Sequence, residues 1–309
     1  MESGAGHSNK RKFAAVAIIG LPNVGKSTLL NALAGEKLAA VSQTPQTTRT
    51  RILGVVNSEN IQLAFLDTPG IHRAKYSLNK RMMERVEAAI DGADLILWMV
   101  EADGFYGPKE RELAKRLSQA AQPVYLLINK VDLVSKSKLL EKVVAYKDLL
   151  SFRDIVPISA RLKRNLEPLW EILRRDAPIG DWQYPDDEFT DQTERGLAAE
   201  FIREKILRKT REEIPHGVAV MITDWIEGGG DYPKDMAPGG VLITADILCD
   251  SDSHRKILLG KEGEKIRDIR ASAQRELKKL LQRPARLELF VKTDSGWRDR
   301  PDKLDWLRL

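Results

Sequence analysis

The chain has 309 residues, a hydrophobic fraction of 42%, a charged fraction of 31% and a formal net charge of +5. This length fits about two domains, and the composition excludes collagen-like, mucin-like and broadly disordered chains. The longest apolar runs, such as residues 93–100, are far shorter than the roughly 20 residues needed to cross a bilayer. We therefore predict a folded chain of about two domains without a transmembrane helix.

The N-terminus, the cysteine count and the net charge carry smaller signals. Residues 1–12 are polar and basic and lack the apolar core of about 7–15 residues that an export signal needs, so we predict a flexible lead-in. The single cysteine, Cys249, cannot form an internal disulfide, which favours a buried thiol and a reducing, cytoplasmic setting. The mild basic bias suggests a polyanionic partner.

Strands and helices alternate in the first half of the chain. Short apolar runs predict buried strands over residues 13–20, 61–67, 93–100, 123–130 and 155–160. Helical spacing separates them, over residues 79–91, 108–120, 138–150 and 166–175. This alternation predicts βαβ units and a mostly parallel α/β sheet covered on both faces, with a further strand over residues 52–58 paired antiparallel to 61–67.

The alternation stops at residues 176–195, where prolines and acidic residues remove the regular spacing. We place the first domain at residues 13–177, a linker at 178–195 and a second, α+β domain at 196–309. In the second domain we predict a helix over residues 196–209 and two strands over residues 218–226 and 241–249. A short helix, a long helix that ends near residue 282 and a last strand over residues 285–292 follow.

A phosphate-binding loop is predicted where the first strand meets the next helix. Its residues are Gly20, Leu21, Pro22, Asn23, Val24, Gly25, Lys26 and Ser27, followed by Thr28. Glycines let backbone N–H groups surround phosphates, and the helix adds its positive end. We expect Lys26 to neutralise the β and γ oxygens and Ser27 to ligate Mg²⁺. The alternative is a chance match in a glycine-rich turn, against which the flanking strand and helix argue.

A second segment, Asp67, Thr68, Pro69 and Gly70, closes the strand over residues 61–67. We expect Asp67 to hold Mg²⁺ through water and the Gly70 N–H to sense the γ-phosphate; a plain turn is the alternative. Ile71 stands where Ras-like proteins carry the glutamine that orients the attacking water, so the water must be positioned otherwise.

A base-reading segment ends the strand over residues 123–130. An Asp132 carboxylate can accept from guanine N1–H and the 2-amino group, a pattern that adenine does not offer. We expect Asn129 at the outer edge of the base, Lys130 along the ring, and the Ala160 N–H, after Ser159, at guanine O6. A solvated loop is the alternative interpretation of this short pattern.

The polar loop over residues 43–50 is long enough to fold over a nucleotide, and we favour Thr48 over Thr47 to complete the Mg²⁺ shell. The alternative is a threonine-rich connector. With Lys26 and Gly70, Thr48 completes the predicted catalytic set. We also hypothesise that the Asn23 carboxamide coordinates a monovalent cation such as K⁺, because the water-orienting glutamine is missing.

A GxxG loop joins two helices of the second domain, and such a loop brings backbone close to single-stranded nucleotides in KH domains. Alone it is equally typical of a helix-to-helix turn, but basic residues surround it. The predicted RNA-binding residues are His254, Arg255, Lys256, Gly260, Lys261, Glu262, Gly263, Lys265, Arg267 and Arg270. Residues 297–306 are predicted to pack as a C-terminal cap without a functional residue.

Over nearly its whole length the chain resembles the Era family of bacterial GTPases. The motifs that carry the resemblance are GLPNVGKS at Gly20, PQTTRTR at Pro45, LDTPGIH at Leu66, NKVD at Asn129, SA at Ser159, HRKILLGKEGEKI at His254 and ELFVKTDSGWRDRP at Glu288. The resemblance implies a Ras-like P-loop GTPase domain with a mostly parallel six-stranded sheet and a type II KH domain. The KH loop departs mildly from the family, because Glu262 replaces a glycine and opposes phosphate approach.

The resemblance also implies partners and a role. These are GTP and GDP, Mg²⁺, the 3′ end of small-subunit ribosomal RNA and assembly of the small ribosomal subunit. A monomeric chain with a peripheral inner-membrane association is a further expectation. GTP would hold an RNA-competent arrangement that hydrolysis releases. The alternatives are a signalling switch with a protein or membrane partner, and an ATP-driven machine, against which Asp132 argues.

Overall fold

The structure, a computed structural model, describes residues 10–42, 52–70, 77–104, 106–210, 214–228 and 236–307. Its contacts divide the chain into two compact units. Of the described residues, 37–42 and 77–85 group with residues from Gln192 onward in the second unit, and the others form the first. The boundaries drawn from the sequence place these two short segments in the first domain and residues 178–191 in a linker, so the observed contacts cut the chain differently.

A six-stranded sheet forms the centre of the first unit. The strands are β1 (Lys12–Ile19), β2 (Ile52–Ser58), β3 (Ile61–Asp67), β4 (Leu95–Glu101), β5 (Val124–Asn129) and β6 (Asp154–Pro157). Their order is β2-β3-β1-β4-β5-β6, and every pair is parallel except β2 with β3. Since the carboxyl ends of the five parallel strands point the same way, the segments that follow β1, β3, β5 and β6 meet at one edge of the sheet.

Helices connect these strands: α1 (Lys26–Ala34), α2 (Ser77–Asp91), α3 (Pro108–Leu117), α4 (Lys136–Lys147) and α5 (Leu166–Asp176). The inner strands β3 and β5 are buried at every position, as expected for strands covered on both faces. The predicted strands and helices of this unit are therefore confirmed within about three residues at each end.

Residues 178–191 pack along the open edge of β2 and against Gln62 of β3. The Val55 N–H of β2 donates to the Phe189 carbonyl at 2.9 Å. The buried Gln62 side chain accepts from the Gln183 and Tyr184 N–H groups at 2.9 and 3.0 Å. This segment therefore covers the edge strand of the sheet, although the sequence predicted a connector.

The second unit contains α6 (Glu194–Lys209), β7 (Val218–Glu227), β8 (Val241–Cys249), α7 (Asp252–Leu259), α8 (Glu264–Leu281), β9 (Ala285–Thr293) and α9 (Pro301–Trp306). In its three-stranded sheet β8 is central, antiparallel to β7 and parallel to β9. The helix-strand-strand-helix-helix-strand order matches the prediction for this half of the chain.

Apolar residues pack on both faces of this sheet. Apolar side chains of α6 and α8, among them Ile202, Ile206 and Leu277, pack on one face in a core that includes the thiol of Cys249. On the other face Trp297 packs with Leu304 and with Leu78 and Met82 of α2. The C-terminal cap is therefore part of the core, as predicted, and it also contacts the first turns of α2.

No helix among the described residues is long and apolar enough to span a membrane.

Candidate nucleotide site and RNA surface

The phosphate loop runs from the end of β1 into α1. Gly25 has a left-handed backbone (φ 106°), and a Cβ there would lie 2.3 Å from the Asn129 amide nitrogen, so only glycine fits. Among the described residues, no side chain caps the N-terminus of α1. The backbone of this turn is thus shaped for an anion at a helix start.

Lys26 lies inside the loop and is buried. Its Nζ donates to the carbonyls of Gly20 at 3.2 Å and Leu21 at 3.1 Å. Burial lowers the pKa of Lys26 to about 8, and the charge of Asp67 partly opposes this shift. The ammonium therefore lies on the loop's own carbonyls, where a phosphate oxygen would be a stronger partner.

Two of the three predicted Mg²⁺ ligands, Ser27 and Asp67, lie together. The Ser27 hydroxyl donates to Asp67 Oδ2 at 2.6 Å, and Asp67 is fully buried at the end of β3. Hydroxyl and carboxylate oxygens are the donors that Mg²⁺ prefers, so the pair fits this metal. Thr68 fixes the segment by donating to the Ile18 carbonyl at 2.8 Å.

Gly70 lies directly against the phosphate loop. A Cβ at Gly70 would lie 2.7 Å from the Pro22 Cα, which leaves no room for a side chain. Pro69 and Gly70 are both buried, whereas Asn23 is exposed at the tip of the loop. The candidates for the switch threonine, Thr48 and the less favoured Thr47, lie outside the described residues. Ile71, which stands at the position of the catalytic glutamine of Ras-like proteins, also lies outside them.

Asp132 follows β5 at the same edge of the sheet. It accepts from the Ser159 hydroxyl at 2.6 Å and from Arg161 Nη2 at 2.9 Å. The hydrogen bond from Ser159, with that from Arg161, lowers the pKa of Asp132 even though desolvation opposes it. The carboxylate that would bind the base is therefore ionised. Arg161 was not predicted as a partner of Asp132, because the sequence distinguishes it only by its position directly after Ser159 and Ala160.

Asn129 has a different environment from the one expected. Its Nδ2 donates to the Val24 carbonyl at 2.7 Å and its Oδ1 accepts from the Ala160 N–H at 2.9 Å. Its amide therefore braces the phosphate loop against the segment after β6. The Ala160 N–H, expected at guanine O6, is used in this brace.

Lys130 also has a protein partner. Its ammonium pairs with Glu101 at the end of β4. This ion pair therefore fixes the Lys130 side chain at the carboxyl end of β4. Glu101 could not be predicted as this partner, because nothing in the sequence near residue 101 connects it with residue 130.

The GxxG loop of the second unit joins α7 to α8. Gly260 and Gly263 have positive φ values of 72° and 75°. Glu262 shares this left-handed conformation (φ 51°), which costs a non-glycine residue about 1–2 kcal/mol. The departure noted in the sequence therefore places a strained, negatively charged residue in the loop.

The predicted RNA-binding side chains are brought together around this loop. His254 and Lys265 are half-buried, and the other charged members are exposed: Arg255, Lys256, Lys261, Glu262, Arg267 and Arg270. Within the described part of the chain none of the arginines and lysines in this set forms an ion pair with an acid, whereas Asp268 on the same helix pairs with Lys209. Phosphates would therefore meet cations that no described acid neutralises.

Known proteins match both halves of the chain. Residues 15–130 match the family described as 50S ribosome-binding GTPase, and residues 213–298 match the KH domain family. The GTPase Era of Geobacter metallireducens is 46% identical over 283 residues, which cover 91% of this chain and 92% of that protein.

Two solved structures share the fold over 96% of this chain. One is Era in complex with MgGDPNP and nucleotides 1506–1542 of 16S ribosomal RNA, with a TM-score of 0.89, 38% identity and coverage of 96% of this chain and 98% of that one. The other is a point variant of Aquifex aeolicus Era bound to GDP.AlF4⁻, with a TM-score of 0.88, 37% identity and the same coverage. Since these relatives match the GTPase motifs and the GxxG unit together, this chain belongs to the Era family, GTPases in which a Ras-like domain precedes a type II KH domain.

Proposed function

We propose that this GTPase is an assembly factor for the small ribosomal subunit, whose KH domain binds single-stranded RNA near the 3′ end of the small-subunit ribosomal RNA. The observation that carries this proposal is the set of cations around the GxxG loop that no acid among the described residues pairs. It stands in a chain 38% identical to an Era that was solved with 16S ribosomal RNA. GTP hydrolysis acts as the release switch.

Guanine is selected by Asp132. Because its pKa is lowered, the carboxylate is ionised at neutral pH and accepts from guanine N1–H and the 2-amino group. Adenine lacks both donors in this arrangement, so it would forgo these two hydrogen bonds to the carboxylate. The Lys130 stem lies along the ring.

The triphosphate exchanges the partners of Lys26. In place of the Gly20 and Leu21 carbonyls, the ammonium meets the β and γ oxygens, while the α1 N-terminus and the Gly70 N–H donate to phosphate. Ser27 and Asp67 would hold Mg²⁺, with Thr48 as the third proposed ligand. The metal supplies positive charge to the β and γ oxygens when bound.

Because Ile71 replaces the glutamine of Ras-like proteins, the water that attacks the γ-phosphate must be oriented by another group. We propose that a monovalent cation on Asn23 supplies part of the charge that other GTPases take from an arginine. Equal turnover in potassium and sodium buffers would contradict this role. The exposed position of Asn23 at the loop tip leaves it accessible to such an ion.

RNA is bound through phosphates at the GxxG loop. Lys261 and Arg267 lie on the loop and on the first turns of α8, where the helix N-terminus adds its positive end. Bases then lie over the neighbouring apolar strand surface, which adds contact area without adding charge.

The test is a titration of the full chain with an RNA fragment from the 3′ end of 16S ribosomal RNA, with a GTP analogue, with GDP and with neither. Each neutralised phosphate adds a slope of roughly −0.7 to the log–log salt dependence. Lys261→Ala and Arg267→Ala should each reduce that slope by about one such step. Lys136→Ala, which removes an exposed lysine of α4, is the matched control.

Failure of the fragment to bind, or binding without a salt slope, would contradict the RNA role and favour a signalling switch with a protein or membrane partner. In parallel, ATP competing with GTP on equal terms would contradict the role of Asp132.

A further inference from the structure

A short segment of the chain links the GTPase motifs to the KH helices. Residues 37–42, which we call the strap, follow α1 soon after its last residue, Ala34, and directly precede residues 43–50, for which the sequence predicts a loop. In the structure the strap belongs to the second unit, together with α6 and α8.

Helix α6 holds the strap by its backbone. The Glu204 carboxylate accepts from the Val41 N–H at 3.0 Å. One helical turn later, Arg208 donates to the Val41 carbonyl through Nε at 3.0 Å and Nη2 at 2.7 Å. Both polar groups of Val41 are therefore bound by one face of α6, whatever side chain stands at position 41.

The same carboxylate is the centre of a charged cluster. Glu204 is fully buried and pairs with Lys37 at 2.8 Å, Lys205 at 2.9 Å and Arg208 at 3.0 Å. A buried carboxylate is tolerated only when it is paired and hydrogen-bonded. Removal of the strap would take away two of its partners, the Lys37 ammonium and the Val41 N–H.

The cluster continues to the helix that begins at the GxxG loop. Lys37 pairs with Glu276 of α8 at 2.8 Å, and Lys205 bridges Glu276 and Glu204 at 3.0 and 2.9 Å. Although burial acts in the opposite direction, hydrogen bonds from these two lysines lower the pKa of Glu276 to about 2. The strap lysine thus joins α6 to α8, whose first residue follows Gly263.

We propose that Glu204 and Arg208 are positioning residues of the GTPase, which fix the strap to the KH helices and so transmit the nucleotide state of the following loop to the RNA-binding helix α8. This inference rests on the proposed function, in which RNA affinity depends on the bound nucleotide. By reciprocity, RNA alters nucleotide affinity through the same contacts by the same factor.

The first experiment measures RNA affinity of the full chain with a GTP analogue and with GDP. Coupling of this kind typically gives a ratio of about 5–150-fold in wild type. In Arg208→Ala and Glu204→Gln, the ratio of the two RNA affinities should lie within about twofold of unity. Arg208→Lys keeps the charge but cannot donate two hydrogen bonds to the Val41 carbonyl, so it should retain part of the wild-type ratio. GTP affinity without RNA should stay within about threefold of wild type, which separates positioning from a loss of fold.

Arg283→Ala is the matched control, because Arg283 also forms ion pairs in this unit, with Glu194 and Glu227, neither of which belongs to the strap. Its ratio should equal that of wild type. Arg208 is half-exposed, so its alanine variant should fold even where the buried Glu204 variant does not.

The second experiment needs no RNA. Hydrogen exchange of the strap peptide should differ about fivefold or more between the GTP-analogue and GDP forms of wild type, and the difference should vanish in Arg208→Ala. If both variants kept the wild-type ratio of RNA affinities, or if the strap exchanged equally fast in the two nucleotide forms, the role of the strap would be refuted and the proposed function would stand. A wild-type chain without any ratio would overturn the release switch as well.

Discussion

Replacement of Asn129 by alanine tests whether this residue braces the site or only reads the base. The side chain is 3% exposed, and its two hydrogen bonds, of 2.7 and 2.9 Å, hold the Val24 carbonyl and the Ala160 N–H. Both of those residues are buried, at 5% and 2% exposure, so water cannot replace the amide without local opening.

The magnitude follows from the two backbone groups left behind. A buried donor or acceptor without a partner costs about 1–3 kcal/mol, and the Val24 carbonyl keeps a second lone pair for other contacts. We therefore expect Asn129→Ala to lower the free energy of unfolding of the nucleotide-binding unit by about 2–4 kcal/mol, with no nucleotide present.

Urea unfolding of the full chain, followed by circular dichroism, measures this change. The transition that GTP shifts belongs to the nucleotide-binding unit, since a ligand stabilises only the unit that binds it. Asp132→Asn is the control, because it alters base recognition at an ion pair with the exposed Arg161 and should change stability by less than about 1 kcal/mol. If Asn129→Ala abolished GTP binding yet unfolded within about 0.5 kcal/mol of wild type, the brace would have no energetic role.

Three other expectations concern the loops. Because burial lowers the pKa of Lys26 to about 8 while phosphate needs the ammonium, GTP affinity should be full below that pH and fall by up to about tenfold per pH unit above it; equal affinities at about pH 7 and 8.5 in calorimetry would contradict this. Gly25→Ala places a Cβ 2.3 Å from the Asn129 amide nitrogen and should weaken GTP binding about 100-fold or more while RNA binding persists, so wild-type GTP affinity would contradict the geometry. Glu262→Gly removes a negative charge from the loop, so RNA affinity measured by fluorescence anisotropy should rise about three- to tenfold, while relief of the left-handed strain should add about 1 kcal/mol to stability; an unchanged affinity would show that the loop does not approach phosphate.

The sequence was sufficient for the order of elements. Apolar runs and helical spacing are local signals, so β3 was predicted with its observed bounds, Ile61–Asp67, and β8 with Val241–Cys249. The meeting of the phosphate loop with Asp67 and Asp132 followed from parallel strands alone, since their carboxyl ends share one edge.

Contacts between distant residues were not predictable in the same way. The Val41 N–H and Glu204 are separated by 163 residues, and nothing in either local pattern indicates the other. The use of the Asn129 amide by Val24 and Ala160 likewise depends on three loops whose backbone paths are set by packing. Charged residues inside a helix such as α6 are typical of a solvent-facing surface, although Arg203, Glu204 and Lys205 are all buried.

The position of residues 178–191 bears on how the nucleotide-binding half can be isolated. A fragment that ends at residue 177 would lack the Phe189 carbonyl that accepts from Val55, and the two N–H groups that donate to Gln62. Its edge strand β2 would be exposed and could pair with strands of other chains, which leads to aggregation. A fragment that extends through Asp191 keeps that border protected. Residues 178–191 therefore protect the edge strand β2 as a covering helix does in other proteins, and so prevent further strands from pairing with it.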